Sequence, residues 1–212
     1  MTSVGPRLGP ADLDRHEETV TGPSRSHVGA FHSDAGARVL AGVGQPEAQL
    51  TAPVERLLSA LGSDLSHVVQ TFPETSEPLL EVRPDLVVTA DGLLTGHVEL
   101  KATGKGANPS RFNDVHDRRQ WERLRELPNL ILTDGVEWAL YRTGDSVSEA
   151  TLPPFAASGG RITRSAAERL DRLITDFLSW TPVVQTSAER LAELLARLSK
   201  HIVVPEVDLA FD

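Results

Sequence analysis

Asp85, Glu99 and Lys101 are the residues of this chain whose types and spacing could do chemistry together. Asp85 opens a run of apolar and β-branched residues, Leu86 to Thr89, and Glu99 and Lys101 close a second alternating segment, Leu93 to Lys101. Asp91-Gly92 between them predicts a tight turn, so the two segments read as paired strands. Successive side chains of a strand point to opposite faces, which puts His97, Glu99 and Lys101 on one face and Val98 and Leu100 on the other. On pairing, Asp85 meets Glu99 and Lys101 there. Two carboxylates and an ammonium at the end of a sheet suit a hard divalent cation. Mg²⁺ takes oxygen ligands, needs few protein carboxylates and fills its remaining positions with water or phosphate oxygens. A lysine beside a cation-activated water would orient it and favour its deprotonated form, which is the chemistry of metal-assisted phosphodiester hydrolysis.

The elements that must hold these residues follow from periodicity. Leu50, Val54, Leu57, Leu58 and Leu61 recur at three- and four-residue spacing and predict a helix from Pro46 to Leu61, stopped by Gly62, with Pro53 at an awkward interior position. His67 to Phe72 predicts a first strand, and the strand carrying Asp85 and the strand carrying Glu99 come next. A glycine-rich loop, Ala102 to Pro109, follows where the chain would pass over a bound phosphate; it lacks the spacing of a P-loop. Asp114 to Leu127 predicts a second helix with an apolar stripe of Val115, Trp121, Leu124 and Leu127. Asn129 to Arg142 reads as a hairpin about Asp134-Gly135. Beyond a Pro/Gly/Ser-rich loop, amphipathic helices are expected near Thr163 to Trp180 and Thr186 to Lys200.

Pro84-Asp85 … Glu99-Leu100-Lys101 resembles the motif of the PD-(D/E)xK nuclease superfamily. The run Pro46 to Leu58 and the stretch Pro128 to Arg142 are similar to segments of the N-terminal nuclease domain of type IIG-like restriction-modification enzymes, and the likeness covers about residues 46 to 143. The resemblance implies an α/β fold, a restriction-endonuclease-like αβββαβ core with a mixed central sheet, followed by a C-terminal two-helix segment. It implies that a glutamate of the first core helix reaches the metal with Asp85 and Glu99. Glu47 is the better match and Glu55 the reserve. Gln120 begins Gln-Trp-Glu-Arg-Leu, similar to the Q-x-x-R-Y pattern of the family's second helix, with Leu124 where a tyrosine is expected. The implied activity is Mg²⁺-dependent DNA cleavage, with Mn²⁺ able to substitute, leaving 5′-phosphate and 3′-hydroxyl ends, in a restriction or phage-defence setting. DNA is the implied partner, along with a methyltransferase or recognition domain or subunit.

At 212 residues the chain can bury one good core and carry an appendage. Its net charge of −9 argues against general coating by nucleic acid. Locally the balance reverses: Lys101, Lys105, Arg111, Arg118, Arg119, Arg123 and Arg125 face Asp114, Asp117 and Glu122, just past the proposed metal strand. Lys105, Arg111, Arg118 and Arg119 are the phosphate-contact candidates. Cysteine is absent, and neither a secretory signal nor a membrane-length apolar run is visible, so a cytoplasmic protein is expected. The expected division is a flexible leader (1–44), the nuclease core (45–145), a linker (146–162) and a helical connector or partner-docking segment (163–212), whose apolar stripes would support a homodimer. Two rival readings stand beside the enzyme: a non-catalytic DNA- or protein-binding module on a nuclease fold, and an assembly subunit. Metal affinity separates the first from a nuclease, and concentration-dependent mass reveals the second.

Overall fold

The computed structural model describes residues 23–73, 83–156 and 161–181. Six strands form one sheet in sequence order: β1 (Val69–Pro73), β2 (Leu86–Ala90), β3 (Leu93–Leu100), β4 (Leu130–Thr133), β5 (Glu137–Arg142) and β6 (Asp145–Thr151). Neighbours are antiparallel except β3 and β4, so the sheet is mixed as expected. Parallel strands cannot be joined by a hairpin. The connection between β3 and β4 is a long crossover carrying α3 (Val115–Leu124). The remaining helices are α1 (Pro23–Ala41), α2 (Ala48–Asp64) and α4 (Arg164–Leu178).

Strand alternation sorts the helices into two layers. Leu86, Val88, Val98, Leu100, Ile131, Trp138 and Leu140 point to one face and pack with apolar residues of α1, α2 and α4. Leu130, Leu132, Ala139 and Tyr141 point to the other, under Phe112, Leu124 and Leu127. Trp121 of α3 meets Tyr141 edge-on at 4.8 Å on that second face. The β2–β3 turn places both Asp91 and Gly92 at positive φ, as a two-residue type I′ turn requires. The Asp91 carboxylate accepts the Val68 N–H, and that bond, reinforced by His67, holds its carboxyl below the usual carboxylate range.

Two segments differ from the sequence expectation. Part of the supposed leader folds: Pro23–Ala41 is a nineteen-residue helix whose Val28, Phe31 and Ala35 are buried in the main core, Phe31 edge-on to Trp138 at 5.3 Å. His32 is also buried there, bonded to the Pro153 carbonyl at 2.8 Å and set against the Phe155 ring. This histidine serves packing. The start of the supposed linker is β6, which pairs with β5 through a turn at Thr143 and Gly144, again both at positive φ. Pro53 lies inside α2 without ending it. Val115, assigned to the apolar stripe of α3, is exposed. The expected helix from Thr186 to Lys200 lies outside the described residues, and among those described no helix is long and apolar enough to cross a membrane.

Candidate active site at the C-terminal ends of β3 and β4

The register of β2 and β3 sets Leu86 against Val98, so Asp85, one residue earlier, stands beside Glu99. Its carboxylate accepts the Leu100 N–H at 2.7 Å, which fixes the side chain across the end of the pair. Lys101 continues β3, its N–H donating to the Thr133 carbonyl at 2.8 Å. Glu99 and Lys101 emerge on the α3 face and are buried there. The Lys101 ammonium lies 3.0 Å from Glu99 Oε1, 2.5 Å from Gln120 Oε1 and 3.4 Å from Asp117 Oδ1. Gln120 also donates from Nε2 to Glu99 Oε1 at 2.6 Å, closing a three-membered network between strand and helix.

Burial, and then the neighbouring charge of Asp85, push the Glu99 carboxyl up from 4.5 to about 7, against the pull of Lys101. Asp117 goes the other way. Burial opposes its charge, but hydrogen bonds from Lys105 and Lys101 and the charges of both lysines outweigh it and hold the carboxyl low. Lys105 is raised in turn, first by its bond to Asp117.

The carboxylate pair suits a hard cation. Glu99 Oε2 is buried without a hydrogen-bond partner, while Oε1 takes both Lys101 and Gln120. An acceptor left bare beside a second carboxylate is costly unless something positive binds it. Asp85 and Glu99 are therefore the residues that could hold a divalent metal. Among the described residues no three histidines, cysteines or carboxylates come together as a metal-binding group. Glu47 flanks the start of α2, near enough to Lys105 to raise its pKa, and does not complete such a group with Asp85 and Glu99. Glu55, the reserve, accepts the Thr71 hydroxyl at 2.9 Å and joins α2 to β1.

The structure divides the four cationic candidates. Arg118 and Arg119 are exposed on α3 and make no ion pair among the described residues. Lys105 is bound to Asp117 at 2.8 Å, and Arg111 is held by both oxygens of Glu137. The glycine-rich loop departs from its expected use. Its amides at Gly104 and Gly106 donate to the Asp134 carboxylate at 2.8 and 2.9 Å, so an internal anion already fills the place expected for phosphate. Asp134 also accepts the N–H groups of Val136 and Glu137, which clamps the loop to the β4–β5 turn.

Sequence reasoning gave Asp85, Glu99, Lys101 and Gln120, and the structure brings these four together. It missed Asp117, which read as one more surface charge of a helix. The signal that could have found it is its spacing of three from Gln120, which puts both on one helix face.

No protein-family model matches the chain, and no curated protein matches it in sequence. Among solved structures it is similar to the one described as the cryo-EM structure of a DrdV–DNA complex, with a TM-score of 0.53 at 18 % identity. The alignment covers 74 % of this chain but 14 % of that one, so the likeness is one of fold over a small part of a much longer protein.

Proposed function

We propose that this chain is the cleavage module of a metal-dependent DNA endonuclease of restriction or phage-defence type. The observation that carries the reading is the Asp85–Glu99–Lys101 set, with Glu99 and Lys101 buried and Gln120 bonded to both of them. Asp85 and Glu99 would hold Mg²⁺, or Mn²⁺ in its place, with Glu47 reaching it through water; the cation would supply Lewis acidity toward phosphate oxygens and water. Lys101 holds its ammonium at a fixed point beside Glu99, where it can orient an attacking water. Attack of that water on phosphorus expels the 3′ oxygen and leaves 5′-phosphate and 3′-hydroxyl ends. Arg118 and Arg119, exposed on the helix over the site, are the first-choice phosphate contacts, and Lys105 and Arg111 become available once phosphate competes for them. DNA as substrate draws support from the shared fold with DrdV, whose structure is a DNA complex.

Plasmid cleavage by the purified chain with Mg²⁺ or Mn²⁺, beside Asp85→Ala and Lys101→Ala proteins, tests the proposal. Cutting by the unaltered chain alone supports it. Cutting by the Lys101→Ala protein with unchanged metal dependence overturns the assignment. One observation favours a second reading, a docking module without turnover: two of the four candidate phosphate cations are already engaged by carboxylates. Such a module would show no Mg²⁺ or Mn²⁺ affinity by calorimetry.

A further inference from the structure

Asp117 is a buried carboxylate whose two oxygens hold two different lysines. Oδ1 faces Lys101 at 3.4 Å and Oδ2 faces Lys105 at 2.8 Å. The lysines differ in access: the Lys101 side chain is 4 % exposed and the Lys105 side chain 40 %. Asp117 lies in the first turn of α3, where backbone N–H groups favour negative charge, and Asp114 caps that turn through the His116 N–H. The carboxylate is thus well anchored on its own side. On the other side, the backbone flanking Lys105 is pinned by the Gly104 and Gly106 bonds to Asp134, leaving the lysine's long side chain as the part that can swing.

We infer that Asp117 is a positioning residue that links Lys105, at the mouth of the site, to Lys101 within it. The inference rests on the proposed role of Lys101 in cleavage. Asp117 bonds the outer lysine more closely than the inner one. A phosphate of the DNA backbone competes for Lys105, since an exposed cation gives up a carboxylate cheaply when a phosphate is offered. Asp117 is then left to Lys101 and holds its ammonium together with Glu99 and Gln120. Arrival of the backbone at the mouth and placement of the water-orienting group become one event.

The linkage makes two effects of one substitution run in opposite directions. Asp117→Asn keeps the side chain's shape but drops its charge. Lys105 no longer has to leave a carboxylate to meet phosphate, so DNA binding, measured by anisotropy in Ca²⁺, is expected to tighten about three- to tenfold at low salt. Lys101 loses its second carboxylate, so the single-turnover cleavage rate at saturating DNA is expected to fall at least about tenfold. A purely structural role would weaken both together. A folded Asp117→Asn protein that cuts at the wild-type rate, or that binds DNA more weakly, overturns the inference. Should that protein fail to fold, as judged by circular dichroism, Asp117→Glu carries the test. Its retained charge keeps DNA affinity near wild type while the longer arm crowds Lys101, and a wild-type cleavage rate there overturns the inference. Failure of the unaltered chain to cut defeats the proposed function instead, and the binding measurement still decides the Asp117–Lys105 half by itself.

Discussion

Lys101→Met takes an ammonium out of a pocket in which its side chain is 4 % exposed and leaves Glu99 and Asp117 facing a thioether of similar length. Removing one partner of a buried ion pair costs about 3–5 kcal/mol when the other must stay charged, whereas the near-isosteric methionine leaves little cavity. Glu99 has an escape that Asp117 lacks. Its carboxyl is already raised from 4.5 to about 7 by burial and by Asp85, and loss of Lys101 raises it further. A carboxyl whose folded pKa is raised contributes stability fully below its unfolded value, and loses it as pH climbs through the folded one. The variant therefore sits close to wild type at pH 5, where folded Glu99 carries a proton. It falls behind by about 2 kcal/mol more by pH 8.5, at about 1.4 kcal/mol per unit of additional shift. Asp117 keeps Lys105 and adds little to the difference. Urea unfolding followed by circular dichroism in EDTA at both pH values measures it, with a matching widening of the melting-temperature gap of about 4–8 °C. An equal deficit at pH 5 and pH 8.5 would refute the electrostatic account and assign the loss to packing of the lysine stem.

Three further perturbations address the frame around the site. Asp134→Ala removes one carboxylate from four backbone N–H groups, at Gly104, Gly106, Val136 and Glu137, and is expected to cost about 2–4 kcal/mol and to expose residues 102–108 to proteolysis. An unchanged melting temperature with the loop still protected would sink that expectation. Gly96→Ala would bring a Cβ to 2.5 Å from the Asn129 carbonyl and 2.6 Å from the Phe177 ring, so a loss of about 2–3 kcal/mol is expected by chemical denaturation. Gly29→Ala is the opposite case, since nothing lies within 4 Å of the added carbon in α1, and it is expected to stabilise by up to about 1 kcal/mol. Equal effects from the two alanines would show that close approach is not what Gly96 serves.

Much of the frame was legible because strong periodicity and turn chemistry agree with each other. The leucines of α2, the Asp91-Gly92 and Asp134-Gly135 turns and the stripe of α4 each point to the element that forms. The core triad was legible because strand alternation alone sets Glu99 and Lys101 on one face. α1 escaped because its buried face is Val28, Phe31, His32 and Ala35, a helical spacing filled by residues of mixed character among glycines and serines. β6 escaped because Asp145 to Thr151 is almost wholly polar; it is held mainly by its ladder with β5, with Ala150 buried. The partners of Lys105 and Arg111 were invisible for another reason. Asp117 and Glu137 are brought to them by the crossover and the hairpin, and no local pattern records that meeting.

Gln120 and Asp117 ride on a helix of ten residues, of which only Asp117 and Leu124 are buried. Such a helix is the layer of the fold with least apolar surface holding it down, so lifting it costs less than unfolding the sheet. When α3 lifts, Lys101 loses two of its three acceptors at once, while Asp85 and Glu99 remain on the sheet. The contacts that fix the Lys101 ammonium are thus also the contacts that seat the helix.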